Sequence, residues 1–109
     1  MKPIPITLIA ALCAVSPVFA QDAGMKSGQD MMAVQNGMMK SMQSMKPTDN
    51  PDANFVMMMM PHHQAAIDMA KVQLEYGKDP QLRKMAEQII AAQEKEIKEM
   101  KKWQSEHGN

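Results

Sequence analysis

Apolar residues recur every three or four positions along most of the chain, which is the spacing of a helix with one buried face. In the first such segment, polar residues such as Lys40 and Gln43 fall outside the apolar stripe. The stripe consists of Met31, Val34, Met38, Met42 and Met45. This pattern predicts a first helix that begins at Ser27 or Asp30, either of which can cap it, and that ends near Lys46.

A second helix is predicted after the turn-forming segment 46–51, because Asn50 can cap a helix and Pro51 suits its first position. It should continue to Tyr76 and bend at Pro61, which removes one helical hydrogen bond. The predicted inner face consists of Phe55, Met59, His63, Ala66, Ile67, Ala70 and Leu74, with His62 and Met69 on one flank.

A third helix is predicted from Pro80 to about Glu106. Gly77 can end the second helix, and Asp79 can cap the third. Because the connection is so short, the two helices should form an antiparallel hairpin. The predicted buried face consists of Leu82, Ala86, Ile89, Ile90, Ile97 and Met100. The lysine and glutamate run on the other side is expected to face solvent.

The predicted fold class is therefore all-α, a bundle of three helices. The sequence has no strand-like alternation and no glycine-rich nucleotide-binding loop. A three-helix monomer and a dimer in which two chains complete a bundle of four or more helices both remain open.

The amino terminus has the three parts of a secretory signal peptide. Lys2 precedes an apolar run from Ile4 to Val15, and the small-x-small ending 18–20 follows. The run is too short to span a bilayer, which takes about 20 residues. We therefore expect residues 1–20 to be a signal peptide cleaved before Gln21, residues 21–29 to be a flexible lead-in, and residues 30–107 to form an exported, periplasmic domain.

Composition excludes several classes of function for the mature chain. Cys13 is the only cysteine, so no disulfide, thiol nucleophile or CxxC site follows the signal peptide. Without Lys2, 11 basic residues face 12 acidic ones, which gives no broad attraction to nucleic acid or to a membrane after cleavage. No serine or cysteine nucleophile is paired with a base, so we predict that the protein is not an enzyme.

Methionine is unusually frequent. All but one of the 15 methionines follow the signal peptide, whereas Leu74 and Leu82 are the only leucines there. Methionine packs adaptably but is open to oxidation, so an excess over leucine suggests that the thioether itself is used. In a helix, Met59 precedes His62 and His63 by one turn, and Met69 follows His62 by two. Thioethers prefer Cu(I), or its mimic Ag(I), to hard cations.

These residues predict a Cu(I) site with Met59, His62, His63 and Met69 as candidate ligands and Met58 as a further one. Zinc would want a more complete histidine, cysteine or carboxylate set, and a di-iron centre would want Glu-x-x-His pairs. Met100, Trp103 and His107 are candidates for a second, weaker site, although a frayed carboxy-terminal turn is the better explanation of this cluster. A methionine-rich surface that binds partner helices is the alternative function.

The second and third helices also resemble a known family. The motif is Met59-x-Pro61-His62-His63-Gln64-x-Ala66-Ile67-x-Met69-Ala70, followed by Glu75-Tyr76-Gly77 and Asp79-Pro80. Over roughly Pro51 to Trp103 the chain is similar to domain-of-unknown-function family 305. The resemblance implies a ferritin-like bundle and a role in periplasmic copper binding and copper tolerance. It assigns the ligand role to Met59, His62, His63 and Met69, with contributions from Met31, Met38 and Met42 of the first helix.

A complete ferritin-like bundle has four helices, whereas only three are predicted here, so the resemblance favours a homodimer. The function expected from residues and resemblance together is Cu(I) binding outside the cytoplasm, for buffering, transfer or tolerance. The expected partners are the copper ion and another periplasmic copper-handling protein.

Overall fold

The computed structural model describes residues 17–107 of the chain. Three helices occupy most of them: α1 spans Pro17–Gln43, α2 spans Pro51–Tyr76 and α3 spans Pro80–His107. No strand occurs among these residues. The prediction of an all-α bundle of three helices is therefore confirmed. Most of the predicted signal peptide, residues 1–16, lies outside the described residues, so cleavage before Gln21 stays a prediction.

The first helix is longer at its amino end than the sequence pattern indicated. It is already helical at Pro17, the first described residue, well before Ser27 or Asp30, and it ends at Gln43 rather than near Lys46. The segment 21–29, predicted as a flexible lead-in, is helical. Gly24 and Gly28 each weaken a helix by about 1 kcal/mol, but unlike proline they neither block its hydrogen bonds nor clash with the preceding turn. Asp30 does not cap the helix and instead bonds to α2.

The boundaries of α2 agree with the sequence prediction. The Asn50 side-chain oxygen accepts hydrogen bonds from the backbone N–H groups of Asp52 (2.9 Å) and Ala53 (3.3 Å), as a capping residue should. Across the same turn, the backbone N–H of Thr48 donates to the Asn54 side-chain oxygen, and the Asn54 side-chain nitrogen donates to the carbonyl oxygen of Thr48. The helix then continues through Pro61 to Tyr76.

The predicted antiparallel hairpin of α2 and α3 is confirmed. The backbone N–H of Gly77 closes α2 by donating to the carbonyl oxygen of Gln73 at 2.7 Å. Asp79 caps α3 by accepting from the N–H of Leu82 at 2.9 Å. One guanidinium nitrogen of Arg83, in the first turn of α3, donates to the carbonyl oxygens of Leu74 and Gly77 at 2.7 and 2.8 Å. The side chain therefore ties the end of α2 to the start of α3.

The second helix lies between the other two. It packs against both α1 and α3, whereas no Cα atom of α1 lies within 8 Å of one in α3 among the described residues. The buried positions are concentrated on α2 for this reason. They are Ala53, Val56, His63, Ala65, Ile67, Ala70 and Val72 of α2, together with Ala86 of α3.

This arrangement explains where the predicted inner faces differ from the structure. His63, Ile67 and Ala70 are buried as predicted, but Phe55 and Leu82 are 62% and 47% exposed, so their predicted burial is wrong. Leu82 lies in the first turn of α3 and Phe55 in the second turn of α2, each near an end of the bundle where neighbours are fewer. A single stripe also cannot describe α2, because a helix between two partners is buried on two sides.

Candidate metal site

His63 is the most constrained polar side chain of α2. Only 8% of its surface is exposed. Its Nδ1 lies 2.9 Å from the carbonyl oxygen of Met59, one turn earlier in the same helix. Because a carbonyl oxygen only accepts hydrogen bonds, Nδ1 carries the proton and donates it. This bond fixes the ring orientation and directs Nε2 away from α2, the arrangement by which proteins prepare a histidine for a metal.

The Nε2 atom of His63 faces α3, where it contacts the carboxylate of Glu96. Glu96 is half exposed, so this contact lies where the buried face of α2 meets solvent. It is one of the links that hold α2 against α3 near the middle of the hairpin. A metal ion that binds Nε2 must displace this carboxylate from the nitrogen or share it.

A cavity of about 510 Å³ opens beside His63 between α2 and α3. Its wall combines two thioethers, one imidazole, an indole and three carboxylates. The lining residues are Asp52, Phe55, Val56, Met59, His63, Glu96, Glu99, Met100 and Trp103. Two of the predicted ligands, Met59 and His63, therefore lie at one cavity. Met100 and Trp103, predicted as part of a second site, lie at the same cavity, so the two predicted sites share one space.

His107 does not line this cavity. It stacks on Trp103, with ring centroids 4.4 Å apart and ring planes 12° from parallel. Its Nδ1 donates to the carbonyl oxygen of Trp103 at 2.8 Å, and the residue is exposed. The imidazole therefore supports the outer side of the indole.

The other candidate ligands lie elsewhere. His62 is exposed, because adjacent residues of a helix point about 100° apart and His63 takes the buried direction. Met58 is 39% exposed. Met69 is half-buried on α2, and Met31 and Met42 are half-buried on α1, away from the His63 cavity. Met38 lines a separate cavity with Met45 and Met60. Metal binding by these residues stays a prediction.

Sequence reasoning missed Glu96, Met45 and Met60 as residues of these cavities. Glu96 belongs to the charged run of α3 that was expected to face solvent, and only its position one turn before Met100 pointed toward the cavity. Within residues 17–107, no three histidine, cysteine, aspartate or glutamate side chains are placed to hold a metal ion together. Metal binding at either cavity would therefore depend on thioethers.

A polar contact at the other end of α2 positions α1. The Tyr76 hydroxyl donates to Asp30 at 2.8 Å, and Lys26 lies 3.8 Å from the same carboxylate oxygen. The hydrogen bond to Asp30 is the main reason that the pKa of Tyr76 is raised. The pKa of Lys26 is also raised, first by its interaction with the Tyr76 side chain and then by the charge of Asp30. The contact ties the middle of α1 to the carboxyl end of α2.

Among the described residues, no helix has the length and apolar character needed to cross a membrane.

Comparison with known proteins gives one assignment. No curated protein matches the chain. The family model described as Domain of unknown function (DUF305) matches residues 15–104, which includes all of α1 and α2 and most of α3. The chain therefore belongs to the DUF305 family.

Proposed function

We propose that this protein binds Cu(I), and also Ag(I), outside the cytoplasm and serves copper buffering, transfer or tolerance. The observation that carries the proposal is the single cavity that is lined by the methionines Met59 and Met100 and by the buried His63. Thioethers and imidazole suit Cu(I). The thioethers carry no proton, and the proton that Nε2 of His63 shares with the Glu96 carboxylate would pass to that carboxylate or to solvent when an ion binds.

The environment of His63 supports this reading. The bond from Nδ1 to the Met59 carbonyl oxygen leaves Nε2 as the ligand atom and couples its position to the residue that supplies a thioether. Glu96 would yield Nε2 to the ion and remain nearby, where its negative charge would offset that of the cation. The Trp103 indole at the same cavity offers a π face that attracts a cation.

Binding and transfer of a copper ion suit a chain exported from the cytoplasm better than catalysis does. The segment 21–109 contains no cysteine, so its donors would be thioethers and imidazoles that form no disulfides in an oxidising compartment. An open cavity at a helix interface also favours exchange with a second periplasmic copper-handling protein. We further propose a ferritin-like arrangement in which a homodimer supplies the helices that one chain lacks.

A competitive Cu(I) titration tests the metal proposal. In the double variant Met59→Leu and Met100→Leu, leucine keeps the apolar volume and removes both sulfurs. Affinity at this cavity should fall by roughly tenfold or more, since even outer contacts to a metal ligand are worth about that factor. The matched control is Met25→Leu with Met32→Leu, two methionines that are 63% and 67% exposed on α1. Equal affinity in the two variants would contradict the proposal.

One observation favours the alternative function, a methionine-rich surface for a partner helix. Met25, Met32 and Met39 are 63%, 67% and 47% exposed and recur every seven residues on α1. That spacing forms a seam that a second helix can follow. Leucine at these positions should preserve such a partner surface, whereas aspartate should abolish it. A pull-down or native mass measurement with both sets of variants separates this function from copper binding.

A further inference from the structure

A second cavity, of about 500 Å³, lies between α1 and α2 and is bordered by two residues of α3. It shares no lining residue with the His63 cavity. Three methionines line it: Met38 of α1, Met45 of the link that follows α1, and Met60 of α2. No histidine lines it, so its possible soft donors are thioethers alone. We refer to it as the thioether groove.

The α1 wall of the groove is open because its side chains are small. Ala33, Gly37 and Ser41 lie four residues apart on the same face. A methyl group at Gly37 would meet nothing within 4 Å, so neighbouring atoms do not require glycine there. Glycine nevertheless weakens the helix by about 1 kcal/mol relative to alanine. Its effect is to leave space beside Met38, into which a long thioether side chain can turn.

Charges around the groove favour an ion of low charge. The Asp68 carboxylate already accepts a hydrogen bond from Gln64 at 3.1 Å, and both residues line the groove. Lys101 of α3 also lines the groove, and its positive charge repels a divalent cation more than a monovalent one. Neutral thioethers are soft donors that prefer Cu(I) or Ag(I) to hard cations. The chemistry of the wall therefore selects a soft monovalent ion.

We propose that Met38, Met45 and Met60 form a second Cu(I) or Ag(I) site, made of thioethers alone, that joins α1 to α2. The site does not depend on His63 and can bind if the first cavity does not. An ion held there would be bonded to both helices at once. Because α1 has no buried residue among positions 17–43, such a link would add a large share of the interactions that dock this helix.

Two measurements on the intact protein test the proposal, with Ag(I) as an air-stable probe. The triple variant Met38→Leu, Met45→Leu, Met60→Leu removes the groove sulfurs. The matched control Met25→Leu, Met32→Leu, Met39→Leu removes three exposed ones from α1. Native mass spectrometry should count one Ag(I) fewer per chain in the groove variant than in the control. Circular dichroism checks that both variants keep their helix content.

Hydrogen exchange gives the second measurement. Ag(I) should slow amide exchange across residues 30–45 of the control, and also of the Met59→Leu, Met100→Leu variant, in which the His63 cavity has lost its sulfurs. The groove variant should show no such slowing. Equal ion counts in the groove variant and the control, or equal slowing, would overturn the proposal. If the His63 cavity binds no ion but Ag(I) still binds in the thioether groove, this inference holds although the proposed site at His63 does not.

Discussion

The helices on either side of α2 differ in how they are held and in what they expose. The outer face of α3 carries ion pairs one turn apart, Lys95 with Glu99 and Lys102 with Glu106, each at 3.8 Å. The outer face of α1 carries methionines and amides, including Met25, Gln29 and Met32, all exposed, with single charges only at Asp22 and Lys40 towards its ends. A face covered by ion pairs is suited to solvent, whereas a face rich in methionine leaves apolar surface uncovered.

The two outer helices also differ in how firmly they are attached to α2: α3 is held by more fixed contacts than α1. A short capped loop, the Arg83 bonds and the contact between His63 and Glu96 join α3 to α2. The longer link 44–50 and the Tyr76 bond to Asp30 join α1 to α2. The hairpin is therefore the stable half of the molecule and α1 the more easily released half. Both proposed metal sites lie against α2, but only the thioether groove would strengthen the weaker side.

The largest expected effect comes from damage to the hairpin at Gly77. A Cβ atom there would lie 2.5 Å from the carbonyl oxygen of Gln73, which the backbone holds in place. We expect Gly77→Ala to lower the free energy of unfolding by about 2 kcal/mol, the usual cost of forced overpacking. Gly28→Ala on α1 is the control, because a Cβ atom there meets nothing within 4 Å. It should stabilise the protein by about 0.5 to 1 kcal/mol.

Urea unfolding followed by circular dichroism measures both changes. The two substitutions are chemically identical, but Gly77 is an extended residue packed against Gln73 at the hairpin turn and Gly28 lies inside α1 with open space around it, so opposite signs would support close packing at that turn. A loss of stability in Gly28→Ala as large as that in Gly77→Ala would contradict it.

A smaller effect is expected at Glu96. Glu96→Ala leaves the buried Nε2 of His63 without its partner, which should cost about 1 kcal/mol, the low end for an unsatisfied buried group because the half-exposed site admits water. Bound Cu(I) would take over Nε2, so the deficit in melting temperature relative to wild type should shrink when copper is added. Glu99→Ala, at the same cavity, is the control. A deficit unchanged by copper would argue against Nε2 as a ligand.

The sequence predicted α2 and α3 well because their ends carry strong local signals. Asn50 with Pro51, and Asp79 with Pro80, fix helix starts through their own side chains and rings, with no help from distant residues. At the start of α1 the Ser16–Pro17 pair lies within the segment predicted as a signal peptide, and glycines at 24 and 28, which weaken a helix without ending it, favoured a later start. Its extent depends on packing against α2, which periodicity alone does not reveal.

The candidate site was predictable to the same degree. The pairing of Met59 with His63 follows from helical spacing, because residues four apart share a face. The participation of Glu96 and Met100 depends on how α3 is aligned against α2, across 33 residues in the case of His63 and Glu96. The burial of His63 and the exposure of His62 likewise depend on which side of α2 packs against another helix. These features come from tertiary packing.

The smallest expected effect tests the attachment of α1 through Tyr76. Tyr76→Phe removes the hydroxyl that donates to Asp30 and leaves the ring, so amide exchange in residues 17–30 should become faster while exchange in the hairpin stays unchanged. The pKa of Tyr76 is raised above 10.0, so the bond stabilises the fold below pH 10 and its contribution is lost as the pH rises through the raised value. After correction for the intrinsic pH dependence of amide exchange, the exchange rates of α1 in wild type should therefore rise to those of the variant only at strongly alkaline pH. Tyr76→Phe with unchanged exchange in α1 would mean that apolar contacts alone attach this helix, and the contrast with α3 would then be one of surface chemistry rather than of attachment.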